Sequence, residues 1–222
     1  MRSFVTFGVV ALCTIVSALP SEVPGYNLSS FVLPTQTGNL TLSPPGSNVE
    51  LLFLALGRGT QNYSCNSTMS KPVSKGALAI LYDLGPLLEY SPPDLLHTLP
   101  SYVLDMASPL VPLSAAGSHF FDSTGVPNFD LLSHGLSLKG ITAETIPTTT
   151  PPASLGLPRS PTNPVNWLHL TATDCGIGSE VLTDVYRVEV AGGSSPATCT
   201  NVTAMTFQVQ YAAIYAFYGP KR

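Results

Sequence analysis

The chain has 222 residues, a formal net charge of −4 and only 10% charged side chains. That balance offers no basic face for a nucleic-acid backbone. The length suits one domain with a real core, and few charges among many Ser, Thr, Gly and Pro residues suit an extracellular surface.

The first segment reads as an address. MRSFVTFGVVALCTIVSALP carries a positive charge at Arg2, an apolar run from Phe4 to Val16, and small residues at Ser17 and Ala18. This is the pattern of a secretory signal peptide, placed at residues 1–18. The run is shorter than the ~20 apolar residues of a bilayer span. No later segment is long and apolar enough to cross a membrane, so the expected product is secreted, extracellular and without a membrane span. Residues 19–48, rich in Pro, Ser, Thr and Asn, read as an irregular N-terminal segment.

Residues 49–222 read as a single β-rich domain. VELLFLALGRGTQNYSC predicts one long strand, or two strands bent at Gly57 and Gly59, because glycine within a strand marks a bulge or bend. KGALAILYD, 75–83, is a second strand. Residues 84–112 form a short helical or irregular insertion, with a helix started by Pro92 and Pro93 and ended by Pro100. GSHFFDSTGVPNFDL, 117–131, reads as a strand, a turn at Gly125-Val126-Pro127 and a second short piece. GLSLKGITAE, 135–144, is another strand, and the Pro/Thr-rich stretch 147–164 is an exposed loop inside the domain.

The last third alternates most clearly. VNWLHLTA reads as a strand. In EVLTDVYRVEVAGG, Leu182, Tyr186, Val188 and Val190 fall mostly on one face, with Arg187 and Glu189 on the other. In AMTFQVQYAAIYAFYG, Met205, Phe207, Val209, Tyr211, Ala213, Tyr215 and Phe217 share a face opposite Thr206, Gln208 and Gln210. Short strands, Gly/Pro turns and no long amphipathic helix predict an all-β sandwich or barrel.

Catalytic motifs are sparse. Gly57-Arg58-Gly59 begins like a dinucleotide-binding turn, but Asn62 takes the third glycine position and YSCNSTMSKP is no helix. GLSLKG begins like a nucleophile elbow, but Lys139 replaces its second glycine. His97, His119, His134 and His169 form no His-x-His or His-Glu-x-x-His, so no metal or cofactor is assigned. His119 with Asp122 is the most suggestive pair. On a strand the two point to opposite faces unless a bend intervenes, and a histidine bonded at the core rim is the plainer reading. Trp167, the only tryptophan, reads first as core and second as a sugar-stacking surface.

Cys65, Cys175 and Cys199 remain once Cys13 leaves with the signal peptide, which allows three alternative bridges and one cysteine over. Sequons at Asn27, Asn39, Asn62, Asn66 and Asn201 offer N-glycosylation sites.

Five motifs occur in order: GRGTQNYSC, GSHFF, VNWLHL, YRVEVAGGSSPATC and QVQYAAIYAFY. Together, over roughly residues 40–219, they resemble the secreted domain-of-unknown-function 3455 family of fungi and bacteria, whose fungal members are often labelled malate dehydrogenase. The resemblance implies that Cys65 and Cys199 are the bridged pair, leaving Cys175 free. It implies no mechanism. The malate dehydrogenase label finds no support in these residues, which lack a Rossmann fingerprint and a run of βαβ units.

The leading expectation is thus a secreted, N-glycosylated β-domain at the cell surface or wall. It would bind a polysaccharide or another extracellular ligand, with Arg58, Gln61, Tyr63 and Trp167 as candidate contacts. The alternative is a hydrolase or metal-assisted enzyme using His119, Asp122 and the 57–63 loop.

Overall fold

The structure is a computed structural model that describes residues 26–66, 70–91, 93–104, 106, 113–148, 163–173, 182–200, 202 and 205–221. The expected signal peptide 1–18, Cys175, Asn201 and most of the 147–164 loop lie outside the described residues.

A small hairpin of β1 (Gln36–Thr37) and β2 (Leu40–Thr41) precedes the main body. Eight strands then follow: β3 (Val49–Ser64), β4 (Val73–Asp83), β5 (Ala115–Phe121), β6 (Pro127–Leu131), β7 (Leu136–Ile146), β8 (Trp167–Ala172), β9 (Asp184–Gly192) and β10 (Thr206–Pro220). Each pairs antiparallel with the next in sequence, and β10 returns to pair with β3, closing a barrel. The fold is an all-β, up-and-down barrel. Closure removes the sheet edges that an open sandwich would have to protect. VELLFLALGRGTQNYS is one continuous strand, paired with β10 from Val49↔Pro220 to Ser64↔Thr206.

The meander sorts the connections into two ends. The β3–β4, β5–β6, β7–β8 and β9–β10 connections gather at one. Here Cys65 and Cys199 form a disulfide, with Cα atoms 5.7 Å apart. The β4–β5, β6–β7 and β8–β9 connections gather at the other. The β4–β5 connection carries helices α1 (Gly85–Tyr90) and α2 (Pro93–Leu104).

Helix α2 differs from the expectation that Pro100 would end it: the helix runs through Pro100 to Leu104. Proline inside a helix removes the bond to the carbonyl four residues back and costs ~3 kcal/mol. Here that loss is offset by packing, since α2 lies against β9, β10 and β3 and buries Leu96, Val103 and Leu104.

Two apolar layers result. Inside the barrel, alternate residues converge: Phe53, Ala55 and Gly57 of β3 stand beside Phe217, Tyr215 and Ala213 of β10. Outside it, Leu54, Leu56, Ile214 and Val188 are buried on the face that α2 covers. The late strands are therefore buried on both faces, which changes the reading of β9. Tyr186 and Val188 point outward beneath other chain segments, and Arg187, expected on a polar outer face, points into the barrel opposite Tyr215. Glu189 does not follow Arg187 inward. Val188↔Ile214 and Ala191↔Ala212 leave two β9 residues opposite one of β10, a β-bulge with Glu189 at φ 49°.

Candidate functional site

One side of the barrel is incompletely zipped. Strand β6 pairs with β7 only from Leu131↔Leu136 to Asn128↔Lys139. Beyond that point β7 is bonded to β8 alone, out to Ile146↔Trp167. A cavity of about 240 Å³ lies at this opening. Its rim is Gly125 and Val126 of the β5–β6 turn with Pro127 at the start of β6 on one side and Gly140, Ile141 and Thr142 of β7 on the other. The apolar walls are Phe121, Phe129, Leu168 and Leu170, and behind the rim they are joined by His119, Arg187 and Tyr215.

His119 is held firmly. Its ring stacks on Phe129, with centroids 4.2 Å apart and planes 8° from parallel. Nδ1 lies 2.9 Å from the Asn128 carbonyl oxygen. A carbonyl only accepts, so Nδ1 carries the proton and Nε2 is the acceptor of the neutral ring. Burial disfavours the charged form and lowers the pKa to about 4. The Asn128 bond opposes this shift, and the nearby Arg187 charge adds to it. At neutral pH His119 is thus an uncharged acceptor.

Among the described residues Arg187 is the only charged side chain on the cavity lining, and it is 7% exposed. Its Nε and Nη2 donate to the Asn166 carbonyl at 3.3 and 2.7 Å. Beside it, the hydroxyls of Tyr215 and Tyr211 share a hydrogen bond of 2.9 Å. Burial raises both phenol pKa values, so both hydroxyls keep their protons. The cavity therefore combines aromatic and aliphatic walls with one fixed positive charge, one neutral imidazole, the Tyr215 hydroxyl and, at the rim, Thr142.

The residues singled out from the sequence are distributed as follows. Arg58 points outward from β3 and donates to the Met106 carbonyl. Gln61 and Tyr63 lie on the inner face of the same strand. Gln61 is buried with Nε2 unpaired, and the Tyr63 hydroxyl donates to the Gly193 carbonyl at 2.8 Å. Trp167 is 3% exposed, and its Nε1 has no partner. None of these four lines the cavity.

Asp122 does not meet His119. It follows the end of β5 and organises the turn there, its Oδ1 accepting from Thr124 N, Thr124 Oγ1 and Val126 N. These bonds hold its carboxyl well below the usual carboxylate range, the Thr124 hydroxyl foremost. Lys139 Nζ lies 3.4 Å from the other oxygen. Among the described residues no group of three or more His, Cys, Asp or Glu side chains is placed to hold a metal ion.

The glycines of GRG serve packing. A Cβ on Gly57 would stand 2.4 Å from the Tyr215 ring, and one on Gly59 only 1.9 Å from the Leu78 carbonyl oxygen of β4. The turn-and-helix setting of a phosphate cradle is absent, since β3 runs straight through both positions.

Arg187, Phe129 and Leu170 line the cavity, and none of the three is a site candidate from the sequence. The signal in the sequence was an arginine centred in VYRVEV. It reads as a solvated position because alternation alone cannot tell the inside of a barrel from its outside.

The described sequons are accessible. Asn39 lies in the β1–β2 turn, Asn27 and Asn66 are exposed, and Asn62 is half-buried on β3. No helix among the described residues is long and apolar enough to cross a membrane.

No curated protein and no solved structure matches the chain. A family model described as "Protein of unknown function (DUF3455)" matches residues 45–219, which takes in the disulfide and all eight barrel strands but for the last residue of β10. The chain belongs to the DUF3455 family.

Proposed function

We propose that this protein is a secreted, N-glycosylated β-barrel that binds one small, largely apolar molecule in the cavity between the β5–β6 turn and β7. The observation that carries the reading is the lining: aromatic and aliphatic walls with a few convergent polar groups, the usual composition of a ligand pocket. Eight-stranded barrels enclose about enough space for one small ligand. A volume of about 240 Å³ lies below the ~300 Å³ lower end of ordinary ligand pockets. It favours a compact molecule over a polysaccharide chain or a dinucleotide.

Secretion and glycosylation rest on the N-terminal apolar run, the disulfide and the accessible sequons. The same features are compatible with residence at a cell wall. A wall polysaccharide finds less support, because Trp167 is buried and offers no open stacking face.

The test is native mass spectrometry and calorimetry of the secreted chain with small neutral compounds such as indole, p-cresol and benzyl alcohol. One-to-one binding is expected, and Leu168→Trp, which fills the cavity, removes it. Absence of binding to all of them and to their carboxylate analogues, or binding unaffected by Leu168→Trp, would overturn the reading.

A second reading, acid–base chemistry on the bound molecule, is favoured by the unprotonated Nε2 of His119 on the cavity lining. Under it, His119→Gln abolishes conversion of a bound compound while leaving its binding in place. Unchanged turnover in that variant removes this alternative.

A further inference from the structure

The cavity holds a charge that no carboxylate among the described residues balances. Arg187 is 7% exposed and lies on the inner face of β9. The ion pairs of the described residues are His97–Glu189, Lys139–Asp122 and His169–Asp184, so no described carboxylate pairs with Arg187. The acids nearest in sequence are turned away from it. Asp184 reaches His169 Nε2 at 2.7 Å, and Glu189 reaches His97 Nδ1 on α2 at 3.1 Å.

A guanidinium cannot shed its proton to escape desolvation as a lysine or histidine can. An ion removed from water without a counter-charge is strongly disfavoured. The bonds to the Asn166 carbonyl satisfy two donors and leave the net charge in place. Fork geometry suits Arg187 to a planar two-oxygen anion, and such charge-assisted pairs are about twice as strong as neutral hydrogen bonds. The Tyr215 hydroxyl stands beside it on the lining as a further hydrogen-bonding group.

We propose that the ligand of this cavity is a small monocarboxylic acid bound as its anion, with the carboxylate on Arg187 and the apolar body against Phe129, Leu168 and Leu170. The proposal rests on the small-ligand reading above and adds the chemical class to it. It also implies discrimination: amines are repelled by Arg187, and neutral analogues leave it unpaired.

The experiment is calorimetry on the secreted chain at pH 7 with matched acid and alcohol pairs: benzoate with benzyl alcohol, isovalerate with isoamyl alcohol, hexanoate with hexanol. Benzylammonium serves as the cationic control. At least one acid is expected to bind tenfold or more tightly than its alcohol, with benzylammonium weakest of the benzyl series. Arg187→Gln is expected to lose that preference and to keep the affinity for the alcohol. The wild-type comparison stands by itself should Arg187→Gln fail to fold, and Arg187→Lys, which keeps the charge but not the fork, is expected to retain part of the preference. Equal affinity for acids and alcohols, or an acid preference that survives Arg187→Gln, overturns the carboxylate assignment and leaves the cavity reading intact. Binding of neither acids nor alcohols overturns both.

Discussion

The ring of Tyr215 occupies the space that a side chain at Gly57 would need. A Cβ placed there would lie 2.4 Å from Cε2 and 2.8 Å from Cδ2 of the tyrosine. Tyr215 cannot swing aside cheaply, because it is 1% exposed and its hydroxyl is bonded to Tyr211. The first glycine of GRGTQNYSC is thus paired in space with a tyrosine of QVQYAAIYAFY, and that tyrosine lines the cavity.

Gly57→Ala therefore overpacks the barrel. It is expected to cost about 1–3 kcal/mol, the usual range for an extra buried carbon. Thermal melts of Gly57→Ala, alone and with Tyr215→Ala, form a double-mutant cycle. The cost of the alanine should shrink markedly once the ring is gone. A full cost in both backgrounds would place the strain elsewhere.

Acid is expected to weaken the fold through His119 before the carboxylates respond. The folded pKa of about 4 lies below the ~6.5 of a free imidazole. Between these values the unfolded chain takes up a proton that the folded chain refuses. The contribution of neutral His119 is complete above about pH 6.5 and falls as the pH drops toward 4, by up to roughly 3 kcal/mol. Asp122 and Glu144, both shifted downward by hydrogen bonds led by the Thr124 and Ser43 hydroxyls, act only at lower pH. Urea titrations from pH 7 to 4 should show this slope in the wild type and its reduction in His119→Gln. Equal slopes would show that His119 is protonated in the fold.

The disulfide closes a loop of 134 residues between Cys65 and Cys199. Chain entropy assigns such a cross-link about 5 kcal/mol before strain is subtracted. Reduction, or Cys65→Ser with Cys199→Ser, is expected to lower the urea midpoint strongly. The barrel should still form, because β3 and β10 remain paired along their length. Loss of the β-sheet circular dichroism on reduction would show that the bridge is required for folding itself.

Glu189 is the only described non-glycine residue with a left-handed backbone, at φ 49°. Its carboxylate bonds His97 of α2 at 3.1 Å, so it combines backbone strain with a contact. Removing the contact in two ways separates the terms. Glu189→Gly should be more stable than Glu189→Ala by about 1 kcal/mol, since both lose the bond and only glycine relieves the strain. Equal stability of the two variants would argue against strain at the bulge.

Much of the secondary structure was legible in the chain. Alternation in QVQYAAIYAFY appears as β10, KGALAILYD as β4 with two further residues at its start, and the turn expected at Gly125-Val126-Pro127 as the β5–β6 hairpin, whose turn ends at Val126 because Pro127 already pairs with Phe121 in β6. A period of two and turn-forming residues are local properties, so the sequence expresses them without knowledge of the rest of the fold. The family signature is legible for the same reason, as short ordered motifs.

The tertiary structure alone decided which face of each strand is the inside. Arg187 and Tyr186 are neighbours on β9, yet one meets the cavity and the other stacks its ring on His169 outside, 4.3 Å away. Once α2 and the N-terminal segment bury the outer faces of the late strands, polarity ceases to mark the solvent side. Closure of the meander likewise depends on β3 meeting β10, a pairing between the two ends of the barrel sequence that no local window contains. The sequence by itself therefore determined strands, turns and family. The placement of Arg187, His119 and Tyr215 around one cavity came only from closing the barrel.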